Sequence, residues 1–176
     1  MPALRPILAL MVMLLALPRA AAAQDTGGFE RLQGLKISLS HSVRIVEREG
    51  EGRVVHAALE EEYGRPVWQV NALSEQGMRE YWVDAMSGRL LRIAELPLRG
   101  RVYSLLVGLT PDKIRNAKLN VTDAVTRAEA DTRAKAELME IDQPRSRMEY
   151  LVVLRDAERL HRIRMDADSG EIVFKD

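Results

Sequence analysis

Tyr81-Trp82-Val83-Asp84-Ala85-Met86-Ser87-Gly88-Arg89-Leu90-Leu91-Arg92-Ile93 reads as a strand, a tight turn and a second strand. Asp84 closes a strand and can accept backbone N–H groups two or three residues on, which folds the chain back. Gly88 supplies the positive φ that such a hairpin needs at its far end. The same pattern returns as Met165-Asp166-Ala167-Asp168-Ser169-Gly170-Glu171-Ile172-Val173, 82 residues later (166 − 84). Turn chemistry is therefore the expected role of Asp84, Gly88, Asp166 and Gly170.

At that offset the remainder divides into two similar units. Val67, Trp68 and Val70 alternate along a strand-like run, as do Tyr150 and Val152 at the matching places. Ahead of each set of strands lies a helical stretch. Ser40 is the expected N-cap of the first, ahead of Val43, Ile45 and Val46, and Thr122 that of the second, ahead of Val125. Gly50 and Gly52 end the first helix; Thr132 and Arg133 stand near there in the second, which is expected to run longer, to Lys135. Four strand-like runs follow each helix: 53–61, 66–73, 78–83 and 89–93, then 136–141, 147–155, 160–166 and 171–175. Short turns between them favour antiparallel hairpins. The expected fold class is α+β: two tandem units, each one helix packed on an antiparallel β-sheet of three to four strands.

The quoted motifs resemble the PepSY domain family. Arg65-Pro66-Val67-Trp68-Gln69-Val70 and the Asp84–Gly88 hairpin carry the resemblance in the first copy. Thr122-Asp123-Ala124-Val125, Met148-Glu149-Tyr150 and the Asp166–Gly170 hairpin carry it in the second. The resemblance implies a small exported or membrane-associated module, of the kind found in propeptides of thermolysin-like secreted metallopeptidases and as free-standing periplasmic proteins. It implies a role in restraining a peptidase or regulating an envelope process, and it brings no catalytic residues.

The termini and composition agree with export. Arg5 precedes an apolar run from Ile7 to Leu17, and Ala21-Ala22-Ala23 offers a small-residue cleavage site. The run falls short of the roughly 20 residues of a membrane span. The expected division is a signal peptide at 1–23 cut after Ala23, a leader at 24–36, a first unit at 37–93, a packed linker at 94–118 and a second unit at 119–176. A periplasmic or secreted location follows, with no stable membrane span after cleavage. The chain has no Cys, so it folds outside the cell without disulfides, thiol catalysis or a lipid-carrying thiol. Its 26 basic and 26 acidic side chains cancel, which argues against a nucleic-acid footprint.

Candidate sites are few. Asp166, Asp168 and Glu171 resemble the start of a calcium loop, but the later bidentate Glu is missing and Met86 stands where the second copy has Asp168. A metal-responsive protein binding a divalent cation there is the alternative to the main reading. His41, His56 and His161 lack the spacing of a zinc pair. No nucleophile elbow or phosphate-binding glycine loop is present. No cofactor is expected, and the protein is read as non-catalytic. Trp82, Tyr81 and Trp68 are the expected partner-binding residues. Strand neighbours point to opposite faces, so either Tyr81 or Trp82 is expected on the surface as an anchor. The expected partner is a protein, a secreted peptidase or an envelope sensor. Glu60-Glu61-Glu62 is a solvated strand end or an acidic patch for a basic partner.

Overall fold

The structure is a computed structural model that describes residues 26–50, 52–96, 105, 107–144 and 147–176. The expected signal peptide therefore lies outside the described residues, as does most of the apolar run at 102–107. Of that run, Leu105 is helical and 84% exposed, whereas Val107 is partly buried against the core, close to the fully buried Leu109.

The fold is α+β. Apart from the helical positions Leu105 and Val107, the described helices are α1 (Thr26–Gly34), α2 (Leu39–Glu49), α3 (Pro111–Arg115) and α4 (Val121–Thr132). Its strands are β1 (Arg53–Glu62), β2 (Arg65–Ser74), β3 (Gly77–Asp84), β4 (Leu90–Leu96), β5 (Lys135–Asp142), β6 (Glu149–Arg155), β7 (Leu160–Asp166) and β8 (Ile172–Lys175). All eight strands join one antiparallel sheet in the order β4-β3-β2-β1-β5-β6-β7-β8. Hairpins account for each run of four. The join between the runs is β1 against β5, through His56–Glu140, Ala57–Met139 and Ala58–Leu138.

Helices α2 and α4 lie side by side on one face, α2 over β1 and β2, α4 over β5 and β6. Each helix is amphipathic. Leu39, Val43 and Val46 of α2 and Val121, Val125 and Ala128 of α4 form the buried stripes. They meet Trp68, Tyr81, Tyr150 and Met165 from the sheet in one core. The caps are not Ser40 and Thr122. Ser38 and Asn120 accept the N–H groups of His41 and Asp123, so both helices start earlier than expected. Helix α4 ends at Thr132, with Arg133 left-handed at φ 58, instead of running to Lys135. The expected leader, 24–36, holds a helix, α1, which buries Leu32.

The caps sit where they do because the residue before each is held on both sides. Ile37 gives its N–H to the Ala85 carbonyl at 3.0 Å, while its own carbonyl accepts the Trp68 indole N–H at 2.8 Å. Leu119 does the same with the Ala167 carbonyl at 2.9 Å and the Tyr150 hydroxyl at 2.6 Å. Ala85 donates its N–H to Pro66 of β2, and Ala167 donates its N–H to Met148, just ahead of β6. Both alanines are fully buried, so a larger side chain there would separate the turn from the helix entry.

Tyr150→Phe keeps the ring and removes one hydroxyl, leaving the Leu119 carbonyl buried without its donor. The expected loss is about 1–3 kcal/mol, read as a lower urea midpoint at unchanged slope. An unchanged midpoint would show that this bond does not hold the second helix in place.

Candidate functional site

Asp84 Oδ1 accepts the N–H of Met86 at 3.0 Å and of Ser87 at 2.7 Å, and the Ser87 hydroxyl at 2.9 Å. Asp166 Oδ1 accepts the N–H of Asp168 at 3.0 Å and of Ser169 at 2.7 Å, and the Ser169 hydroxyl at 3.1 Å. Gly88 and Gly170 close these turns at φ 76 and φ 72, donating to the carbonyls of Asp84 and Asp166. The other oxygen of Asp166 faces Arg147 at 3.5 Å, and Asp168 is exposed. The Oδ1 atoms are thus committed to the turns. Among the described residues, no three His, Asp or Glu side chains are grouped to hold a metal.

The aromatic residues separate by face. Trp68 and Tyr81 point toward the helices and are 1% exposed, so neither side chain is available to a partner. Tyr81 runs its hydroxyl up to Gly50 at the end of α2, where any side chain would collide with it. Trp82 points the other way, outside the core cluster, yet it too is only 8% exposed. Arg92 of the edge strand β4 lies over its ring, 3.6 Å from the centroid. Alternation thus assigned the two faces, while the covering of Trp82 depends on a residue from another strand.

The face that carries Trp82 is charged. Arg92 reaches Glu62 at 3.7 Å. The Gln69 amide donates to Glu80. Farther along the sheet, Arg164 contacts Asp142 at 2.9 Å and Glu149 at 3.5 Å. Glu140, beside them, is raised above the ordinary carboxylate range by burial and by Asp142, with Arg164 opposing. Of the acidic run, Glu60 and Glu61 are exposed, and Glu61 lies 3.9 Å from Arg31 of α1.

The histidines are dispersed. His41 is exposed and His56 lies on β1. His161 is buried, with Nε2 2.6 Å from Asp156 Oδ2 in the β6–β7 turn. That pair was missed in the sequence: its members stand five positions apart, and only the hairpin brings them together. Asp156 is lowered to about 2 by His161, with the N–H groups of Arg159 and Glu158 adding to the effect.

Residues 36–94 match the family model described as PepSY, "Peptidase propeptide and YPEB domain". No curated protein matches the chain. A crystal structure of a candidate lipoprotein from Clostridium difficile 630 aligns at 14% identity and a TM-score of 0.48, covering 82% of this chain and 95% of that one. No described helix is long and apolar enough to cross a membrane.

The turns give an acid sensitivity with a definite sign. The Ser169 N–H, opposed by desolvation and aided by the Asp168 N–H, the Ser169 hydroxyl and Arg147, holds Asp166 below its ordinary value. At Asp84 desolvation pushes upward, but the hydroxyl and N–H of Ser87 with the Met86 N–H outweigh it, and its value is lowered too. A lowered carboxylate contributes stability above its unfolded value, near 4, and loses it as pH falls through the folded value. The double variant Asp84→Asn, Asp166→Asn keeps the turn acceptors but not the titration. It is expected to lose less of its melting temperature than the parent between pH 5 and pH 2, as followed by circular dichroism. Parallel acid limbs would place the acid sensitivity in other groups.

Proposed function

With residues 36–94 a PepSY domain, we propose that the chain is a non-catalytic, extracytoplasmic binding module that restrains a secreted peptidase. The observation that carries this is the family match itself, whose description names the peptidase propeptide. PepSY domains are protein-interaction modules, so the partner is a protein.

The second half, 119–176, is on this reading a second PepSY unit joined to the first, 37–93, by a linker at 94–118. Its support is geometric. The docked helix entry, the aromatic bond to its carbonyl and the Asp–Ser–Gly turn recur at matching positions of both halves. The seam pair Ala57–Met139 joins two residues that the repeat offset makes equivalent. Equivalent residues facing one another across antiparallel strands are what an approximate two-fold axis through that pair produces. The signal peptide at 1–23 and the periplasmic or secreted location belong to the same proposal.

The architecture suits restraint rather than chemistry. One sheet under two docked helices is a preformed surface, so binding costs little ordering entropy. Its outermost strands, β4 and β8, each leave one side of their backbone without a strand neighbour among the described residues. An extended segment of a partner can add at such an edge.

The test is a titration of the exported chain into secreted metallopeptidases of the thermolysin class from the protein's own source, with hydrolysis of a fluorogenic peptide as the readout. A saturable fall in rate with folded chain, and none with heat-unfolded chain, is expected. Unchanged hydrolysis across that set at large molar excess, or steady digestion of the chain, would overturn the peptidase reading.

A further inference from the structure

The cover on Trp82 is made from the chain's own cation. Register places Trp82 opposite Gln69 on β2 and opposite Arg92 on β4, on the face away from the helices. Strand alternation places Glu80 and Asp84 on that face two residues to either side, and Glu60 and Glu62 on it from β1 through Val67 and Arg65. Glu80 and Asp84 thus flank the indole along its own strand, and Glu60 and Glu62 share its face two strands away. Two cations accompany them: Arg65, opposite Glu62 and close enough to act on Asp84, and Arg92, stacked on the ring.

Arg92 is loosely held. Its side chain is 53% exposed, and its ion pair with Glu62 is 3.7 Å long. Exposed cation–π contacts and exposed ion pairs are both weak. What they cover is an aromatic ring with an electron-rich face in acidic surroundings, which favours a cation from any source. We propose that Trp82, with Glu62 beside it, is a cation–π subsite for an arginine side chain of a basic partner segment, and that Arg92 is a built-in occupant which the partner's guanidinium displaces. The subsite rests on the protein-binding reading above and names the chemistry of the partner: an exposed, arginine-bearing stretch. A guanidinium fits better than an ammonium because it is planar, stacks on the ring and can reach Glu62 with a second nitrogen.

Trp82 reports its own occupancy. The other tryptophan, Trp68, lies under α2 with its N–H on Ile37, out of reach of a surface ligand. The exported chain and its Arg92→Ala and Arg92→Gln variants are titrated with an acetylated oligoarginine amide, and with lysine and glutamine peptides of the same length. Circular dichroism shows first that each variant is folded.

Both variants are expected to show a saturable change in tryptophan emission with the arginine peptide. The lysine peptide should bind more weakly and the glutamine peptide not at all. The parent should bind arginine several-fold more weakly than Arg92→Ala, because Arg92 competes. Adding Trp82→Leu to Arg92→Ala should abolish the signal, and isothermal calorimetry should show the binding heat lost with it. No saturable change in either folded variant, undiminished heat without Trp82, or equal affinity of parent and Arg92→Ala would each overturn the proposal. Failure here alongside intact peptidase inhibition removes only the subsite; arginine binding without inhibition keeps the subsite and removes the peptidase.

Discussion

Two peptide groups govern the placement of both helices. Ile37 and Leu119 are each bonded at the N–H by a turn carbonyl and at the C=O by an aromatic donor from the sheet. A buried peptide group must be satisfied on both sides, and leaving one side open costs about 1–3 kcal/mol. The helix therefore begins one residue later, at a cap that follows directly: Ser38 after Ile37, Asn120 after Leu119. Fixing the entry also fixes the rotation of each helix. The stripe Leu39, Val43, Val46 then faces the sheet, as does Val121, Val125, Ala128. A helix that started at Ser40 would leave these peptide groups to find other partners.

The same requirement explains the single sheet. A four-stranded unit with one helix would expose a long first strand, β1 or β5, whose outward N–H and C=O groups invite pairing. Here each supplies the other's missing neighbour, and α2 and α4 pack against one another above the seam. Small domains bury a low fraction of their surface, and this chain has no disulfide to compensate. A core shared across the seam, with Met139 at its centre and Trp68 and Tyr150 on either side, answers both limits at once.

How much of this was legible depended on range. The Asp–Ser–Gly turns, the strand alternation and the pairing of hairpin neighbours are local, and the sequence carries them within a few residues. The seam was not legible, because nothing near Ala57 or Met139 marks them as neighbours. The cap failed for a similar reason. Ser38 and Ser40 are equally good caps by type, and the choice was made by Ala85 and Trp68, far away in the chain. Alternation placed Tyr81 and Trp82 on opposite faces, but it equated the outer face with exposure. Arg92, ten residues on and across a bulged pairing, removed that equivalence. A useful local clue was present in both hairpins: alanine follows each turn aspartate, and both alanines sit where the turn meets the helix entry.

Where the two halves differ, they differ outside the shared scaffold, and that is where their roles can diverge. Gly88 packs beside Ile37 and Ile45, whereas Gly170 lies under the guanidinium of Arg127. Met86 is exposed at the tip of one turn and Asp168 at the tip of the other. On the outer face, the first half presents a tryptophan beneath an exchangeable arginine, while the second ties Arg164 between Asp142 and Glu149. An arginine between two carboxylates is satisfied in place, and a ligand gains little by removing it. An arginine stacked on an aromatic ring and one distant carboxylate leaves a receptor behind when it moves. The helix face is occupied by the core in both halves and has no such choice to offer.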